Sequence, residues 1–474
     1  MNSVKNKKIY VLLPDGVGLR NFAYTDFYKL GKEQGYDIVF WNNTPFDLQT
    51  LGYDEIKISN SKSNPLTEIY KNARKQIELN LNIRRSNDCV YDSYRFSFSY
   101  KTFNATVKSL AVKLLTFLHS SENGLKHVRA KIKTEERKTL YYRQCLETLK
   151  AENPSLVFST NQRAISAIAP ILAAQELGIP TVSFIYSWDN LPKATMVIEP
   201  DFYLVWSEHM KNELRSYYPY VTNDRIFTTG TPQFELHYDP TVIMPKDEFF
   251  AKHGLDFNKK YICYSGDDVS TSPNDPLYLR DTAEAVRRLN SRNHNFGVLF
   301  RRCPVDFSPR YDSVLESYKD VITVVDPVWK TAGNGWNTVL PSAEDTSLLI
   351  NTAAHCEMVV NLGSSMVFDF VTADKPCAYV NYDYPISNPL RCEWSVKKTY
   401  NFVHFRSMPS RDCVAWLNDA ESIASTIESL LENKTETVAA AKKWFQKINA
   451  HPVDKASVRI FEAFDTIMQN TESK

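Results

Sequence analysis

The chain has 474 residues, 43% hydrophobic and 23% charged, with Lys+Arg 56 against Asp+Glu 55. A formal charge of +1 lacks the positive excess of a general nucleic-acid binder, so no nucleic-acid partner is expected. The length exceeds one ordinary core and calls for two domains or more, and no apolar run reaches the roughly 18 residues a membrane-crossing helix needs.

The eight cysteines, at 89, 145, 263, 303, 356, 377, 392 and 413, are scattered without a C-x-x-C pair. Neither a disulfide framework nor a zinc site is expected. No signal peptide is visible ahead of the first apolar run, which implies a reducing, cytoplasmic setting.

Residues 8–14 read as a strand, 15–22 as a glycine-bearing loop, 23–35 as a helix and 36–41 as the next strand. This βαβ opening starts a doubly wound parallel sheet. Gly16-x-Gly18 lacks the third glycine of a dinucleotide fingerprint, whose place Asn21 takes, so NAD is not expected. Residues 65–150 are helical by pattern. Within them 106–118 carries an apolar stripe with lysines opposite. Segment 126–143 is basic, with Lys126, Arg129, Lys131, Lys133, Arg137, Lys138 and Arg143 against Glu135 and Glu136. It reads either as a solvated helix face or as a patch for anionic lipid head groups or an anionic acceptor.

Strand and helix then alternate again. Strands are expected at 156–159, 180–186 and 201–206, with a helix over 163–177 and another N-capped by Ser207. Residues 225–234 close this half, and 236–260 read as a linker with a small helix. The pattern restarts with strands 260–265, 296–301 and 321–325, helix 276–288, loop 326–329 and helix 344–352. Residues 358–362 and 377–380 then read as strands; between them Gly363-Ser364-Ser365 turns into a helix carrying Met366, Val367, Phe370 and Val371, which Lys375-Pro376 stops. Segment 383–401 looks irregular, helices follow at 418–432 and 437–447, and 453–468 is a last amphipathic helix.

In doubly wound sheets, ligands bind beyond the carboxyl ends of the strands. Polar and charged residues concentrate there: Asp15, Gly16, Gly18, Arg20 and Asn21; residues 160–163; Trp188, Asp189 and Asn190; Ser265, Gly266 and Asp267; Arg301 and Arg302; Asp326 and Trp329; and Gly363, Ser364 and Ser365. The Gly-Ser-Ser turn offers backbone N–H groups, hydroxyls and the positive end of a helix dipole, so it either cradles a phosphate or caps its helix. Two arginines at one strand end suit a diphosphate, unless one pairs with Asp267, Asp306 or Glu344. Asp267 and Asp268 could bind sugar hydroxyls, order Arg301 or hold a cation; an Asp-Asp pair alone does not make a metal site, and none is expected. Trp188 could stack on a sugar, with Asp189 and Asn190 meeting hydroxyls; alternatively Ser187 and Asp189 cap the turn. G-x-S-x-G, a Walker lysine loop and zinc-spaced histidines are all absent. A displacement run by one base and a phosphate clamp fits these residues best.

Four segments in order carry a resemblance: the glycine loop at 15–22; Tyr186-Ser-Trp-Asp-Asn-Leu-Pro192; Phe202-Tyr-Leu-Val-Trp-Ser-Glu-His-Met with Thr229-Gly-Thr-Pro-Gln-Phe234; and Gly363-Ser-Ser-Met-Val-Phe-Asp-Phe370 with Asp374-Lys-Pro376. The chain resembles GT-B glycosyltransferases. More closely it resembles bacterial surface-carbohydrate proteins related to the CDP-glycerol glycerophosphotransferases of teichoic acid synthesis. The resemblance covers nearly the whole chain and is weakest over 60–150.

It implies an α/β GT-B fold, with two Rossmann-like doubly wound domains facing across a cleft. An acceptor domain would span 1–237, with a helical insertion at about 60–150. A nucleotide-donor domain would span 238–450, and a helix in 451–474 would cross back to the first domain. Donor binding falls on Ser265, Gly266, Asp267, Arg301, Arg302, Asp326, Trp329, Gly363, Ser364 and Ser365. Acceptor binding falls on Gly16, Gly18, Arg20, Asn21, Trp188 and Asn190, and the base is Asp15 or Asp189. Many relatives place a histidine near the first of these positions, and 15–22 holds none. The function implied is transfer of a sugar from a nucleotide sugar to a glycan or lipid-linked acceptor of a surface polysaccharide such as capsule or lipopolysaccharide. No cofactor or metal is expected beyond the nucleotide-sugar co-substrate, and the setting is cytoplasmic or peripheral at the inner membrane face. Rival readings are a CDP-glycerol-type glycerophosphotransferase, a UDP-sugar 2-epimerase and a non-catalytic scaffold.

Overall fold

A computed structural model of the protein describes residues 7–306, 308–331, 339–384 and 394–472. Cys392, the chain start at 1–6 and part of the irregular segment, 385–393, lie outside the described residues. The chain divides into two compact units, Met1–Pro232 with Ile448–Lys474, and Gln233–Lys447.

The first unit is built on strands β1 (Lys8–Leu13), β2 (Asp37–Asn42), β3 (Glu55–Lys57), β4 (Leu156–Ser159), β5 (Thr181–Phe184), β6 (Phe202–Val205) and β7 (Ile226–Thr228). They form one parallel sheet in the order β3-β2-β1-β4-β5-β6-β7. Ile9 sits opposite Ile38 on one side and Leu156 on the other. Apart from the ends, β1 and β4 are buried throughout, which is why they read as unbroken apolar runs rather than alternating ones. One sheet face is covered by Phe22, Phe27 and Phe158 together with Phe461 and Phe464 of helix Ala456–Glu472. Phe27 stacks on Phe461 at 4.8 Å.

The expected helix 23–35 is shorter, Phe27–Glu33, and the end of the expected loop 15–22 forms a helix of its own, Leu19–Phe22. The break falls where the Thr25 hydroxyl donates to the Asn21 carbonyl at 2.8 Å, a side-chain bond that competes with helix continuation. β3 was not foreseen, because three residues are too few to show a period.

The insertion forms helices Pro65–Ser86, Phe103–His119, Glu122–Glu136 and Leu140–Glu152. Asn64, Thr102, Ser121 and Thr139 cap them, each accepting from a first-turn amide. Much of the basic run is matched at close range. Arg129 and Lys133 reach Glu199 at 2.5 and 2.7 Å, Lys138 meets Glu135 at 2.7 Å, and Arg137 lies 3.9 Å from Glu176. Arg74, buried, joins the same Glu199 at 3.3 Å and bonds Glu78 at 2.8 Å.

The second unit is built on β8 (Lys260–Ser265), β9 (Phe296–Arg301), β10 (Ile322–Val324), β13 (Met358–Asn361), β14 (Cys377–Val380) and β15 (Ala415–Leu417), with the hairpin strands β11 (Trp329–Thr331) and β12 (Val339–Pro341) between β10 and β13. The parallel sheet runs β10-β9-β8-β13-β14-β15, the same winding as the first, and β11 pairs antiparallel with β12. The expected loop 326–329 therefore ends inside a strand. Helix Val396–Tyr400 and edge strand β15, both short, were likewise unforeseen.

Candidate functional site

Each sheet reverses its winding once, between β1 and β4 in the first unit and between β8 and β13 in the second. At such a point neighbouring loops diverge and leave a crevice at the strands' carboxyl ends. Asp15 follows β1, and residues 160–163 follow β4. Residues 265–267 follow β8, and Gly363, Ser364 and Ser365 follow β13. Both candidate clusters thus lie at a switch point.

In the first unit Asp15 caps the turn Gly16–Gly18, accepting from the Val17 amide at 3.1 Å and from the Asn161 side-chain amide at 2.9 Å. Burial raises the pKa of its carboxyl above the ordinary value; the Arg163 guanidinium and those two hydrogen bonds hold it back only in part. Gly18 is there because a Cβ would stand 2.3 Å from the Thr160 hydroxyl and 2.6 Å from its Cβ, a close approach only glycine allows. Asn161 is buried and also accepts from the Arg163 and Ala164 amides at 2.9 and 3.1 Å.

Tyr186, at the end of β5, ties this cluster together. Burial raises its phenol pKa; Arg163 and Arg20 pull it down, and Asp15 and Asp189 push it up. The structure thus brings Asp15, Arg20, Arg163, Tyr186 and Asp189 into one electrostatic neighbourhood. Tyr186 and Arg163, whose guanidinium lies 5.1 Å from the ring, were not singled out from sequence, though Arg163 stands in the strand-end segment 160–163 and Tyr186 opens the segment 186–192 that carries the resemblance.

Other residues of this set serve the scaffold. The Asp189 carboxylate is held by Lys193 and by Asn190, the latter at 2.8 Å. Asn190 is buried and accepts from Gln162 at 3.0 Å, while the Gln162 carbonyl holds the Tyr186 amide at 3.0 Å. Trp188 is buried rather than offered to a sugar face. Asn21 is buried 3.5 Å from the Thr231 hydroxyl. Asn21, Trp188, Asp189 and Asn190 are thus engaged within the fold, and the expectation that Trp188 stacks on a sugar is corrected.

In the second unit Gly363 has φ +68°, and a Cβ there would meet Phe405 at 3.0 Å and Thr399 at 3.3 Å. The turn is braced: the Ser364 amide donates to Asn361 at 2.8 Å, and Tyr379 donates to the Ser364 carbonyl at 2.9 Å. Ser365 caps no helix amide through its side chain and is exposed, so the cap reading fits Ser365 poorly. Only Ser364 acts in that sense, weakly, on the Met366 amide at 3.4 Å.

Arg301 is not a free clamp. It is buried, and one of its nitrogens donates to both oxygens of Asp345 at 2.8 and 2.9 Å. Asp345 also accepts from the Val328 amide at 2.9 Å and the Trp329 indole at 2.6 Å. The partner is therefore Asp345 rather than Asp267, Asp306 or Glu344. Sequence reasoning missed Asp345 because Ser342-x-x-Asp345 reads as a capping box, and Ser342 does accept from the Asp345 amide at 3.2 Å.

Arg302 differs. It donates to the Ser308 carbonyl at 3.0 Å, lies 3.5 Å from the exposed Asp326 carboxylate, and rests 5.3 Å from the Tyr311 ring centre. Gly266 and Asp267 sit against the buried Asp275, whose carboxylate accepts from Tyr311 at 2.6 Å and from the Asp267 amide at 3.2 Å. Burial, Asp275 and Asp268 raise the pKa of the Asp267 carboxyl well above its usual range, against Arg310 and the Leu362 amide. Among the described residues no three His, Cys, Asp or Glu side chains are grouped to hold a metal ion, and no helix is long and apolar enough to cross a membrane.

No protein-family model matches the chain, and no curated protein matches it in sequence. Its fold does have solved counterparts. A UDP-N-acetylglucosamine 2-epimerase-like protein from Listeria monocytogenes is 12% identical, with TM-score 0.53, over 97% of this chain and 96% of that one. MnaA of S. aureus, solved with UDP, is 12% identical, with TM-score 0.52, over 98% and 97%. A glycosyltransferase from Rickettsia africae is 12% identical, with TM-score 0.52, over 98% and 100%. The chain therefore has the GT-B fold, two Rossmann-like units each built on a parallel sheet.

Proposed function

We propose that the protein is a glycosyltransferase that moves a sugar from a nucleotide sugar to a hydroxyl of a growing surface polysaccharide or a lipid-linked acceptor. The observation that carries this reading is Asp15: a carboxylate with a raised pKa, at the switch point of its sheet, under the influence of Arg163. A base of raised pKa is suited to taking a hydroxyl proton at neutral pH. In the step proposed, the acceptor oxygen attacks the anomeric carbon, the bond from that carbon to the diphosphate breaks, and the acceptor proton passes to Asp15. Asp189, already held by Lys193, is the weaker candidate. Within the second unit, the candidates for binding a donor diphosphate are the turn at Gly363, Ser364 and Ser365 and Arg302. Arg301 serves there by holding Asp345 and the Trp329 loop in place.

The test is turnover on a panel of nucleotide sugars with glycan acceptors. Asp15→Asn is expected to cost about 10²–10⁴-fold in kcat, and wild-type turnover by that variant would remove the assignment. A second reading, a UDP-sugar 2-epimerase, is favoured by the epimerase names among the fold counterparts. It predicts conversion of a UDP-sugar to its 2-epimer with no acceptor present, which NMR of the sugar product detects.

A further inference from the structure

Helix Phe103–His119 carries its bulky apolar side chains on the outside. Phe103, Val107, Leu110, Leu114 and Phe117 follow at alternating steps of four and three and are all exposed, Phe103 and Phe117 at 82% each. The inward face, against helices Pro65–Ser86 and Glu122–Glu136, is made of small side chains at Ala105, Ser109, Val112 and Thr116. Phe96 and Tyr100, also exposed, extend the outer patch. An apolar surface of this kind marks a contact with something outside the chain.

Charge says what that contact is. From Arg95 to His119 there is no Asp or Glu, while Arg95, Lys101, Lys108 and Lys113 are basic. Beside the helix lies an open groove of ≈ 700 Å³, whose walls include Arg84, Arg95 and Lys113 and whose apolar side includes Phe98 and Phe117. The Lys113 ammonium stands 5.0 Å from the Phe98 ring and 5.3 Å from the Tyr100 ring, at the border of the two surfaces.

We infer that this face of the insertion lies on an anionic lipid surface. The apolar row enters the acyl boundary, and the basic groove receives phospholipid head groups. Of the four cations, Lys108 meets Glu68 at 3.0 Å and Arg95 meets Asp92 at 2.8 Å; Lys101 and Lys113 have no carboxylate in salt-bridge range among the described residues, and a second copy packed along the same row would set lysines near lysines. An anionic bilayer supplies the missing charge. What separates this helix from the basic run at 126–143 is its exposed apolar row, so the lipid contact is placed on the helix before that run. The inference does not depend on the transfer reaction.

Co-sedimentation of the full chain with phosphatidylglycerol–phosphatidylcholine vesicles tests it, with pure phosphatidylcholine vesicles as the control. The wild type is expected to sediment with the anionic vesicles, less so at high salt. Leu110→Glu with Leu114→Glu, both at exposed positions, is expected to weaken binding by about tenfold or more, and Lys126→Glu with Lys131→Glu to bind like the wild type. Should the leucine pair unfold the protein, Lys101→Glu with Lys113→Glu repeats the test by charge and is expected to lose several-fold in binding. Absence of binding to anionic vesicles, equal binding to neutral ones, or undiminished binding by the folded variants would each overturn the inference. So would a vesicle-free dimer, seen by sedimentation equilibrium, that the leucine pair dissociates.

Discussion

Asp15→Asn keeps the shape of the side chain and its bond to the Val17 amide while removing the base. Because burial raises the pKa of Asp15, the acid limb of the wild-type kcat/KM profile is expected to lie above that of an ordinary aspartate, with activity rising with pH as the carboxyl ionises. That limb should vanish from the residual activity of the variant. Asp267→Asn makes the opposite kind of change. It removes a carboxyl whose charged form is disfavoured by burial and by Asp275 and Asp268, so thermal unfolding at neutral pH is expected to show no loss of stability. Gly363→Ala forces a Cβ into the left-handed region beside Phe405 and is expected to destabilise by about 1–2 kcal/mol in denaturant titration. That glycine was legible from the Gly-Ser-Ser string. The true partner of Arg301 was not, because capping and ion pairing draw on the same residue type three positions after a serine.

At the level of elements, the apolar strands showed themselves best. Residues 156–159, 260–265, 296–301 and 377–380 were placed to the residue, since strands covered on both faces leave continuous hydrophobic runs. The three-residue strands β3 and β15 and the hairpin strands could not be read that way. Their existence depends on a neighbour's free edge rather than on their own pattern. Orientation was equally hidden. The stripe at 106–118 was plain in the sequence, yet its outward direction was not, because periodicity defines a face without saying what it meets. The insertion's anchor is Glu199, which gathers Arg74, Arg129 and Lys133. Glu199→Gln takes away the carboxylate that Arg129 and Lys133 share and one of the two that hold the buried Arg74, which keeps Glu78, and is expected to cost about 3 kcal/mol in chemical unfolding. Arg301→Ala should cost a similar amount by stranding Asp345. It would thus act on stability rather than on turnover alone.

For the whole molecule, two opposed pH dependences follow. The Glu199 carboxyl is buried, yet Arg129, Arg74 and Lys133 lower its pKa to about 2. Its contribution to stability is present above the ordinary 4.5 and is lost as pH falls toward the folded value. Asp267 is raised, so its folded form favours the proton; that contribution is present below the ordinary 3.8 and is lost as pH climbs through the folded value. Unfolding followed from pH 3 to pH 8 should therefore show stability rising at first and then declining. Glu199→Gln is expected to remove much of the rise, and Asp267→Asn part of the decline.

Helix Ala456–Glu472 sets an order of events during synthesis. Phe461 and Phe464 complete the aromatic layer beneath β1 and β4, yet they are translated after every residue of Gln233–Lys447. On the ribosome, the second unit has its whole chain available while the first waits with the aromatic layer on one side of its sheet incomplete. An exposed aromatic layer of that kind is a natural substrate for a holding chaperone, and a stop codon placed just before the helix would leave the nascent chain in that state.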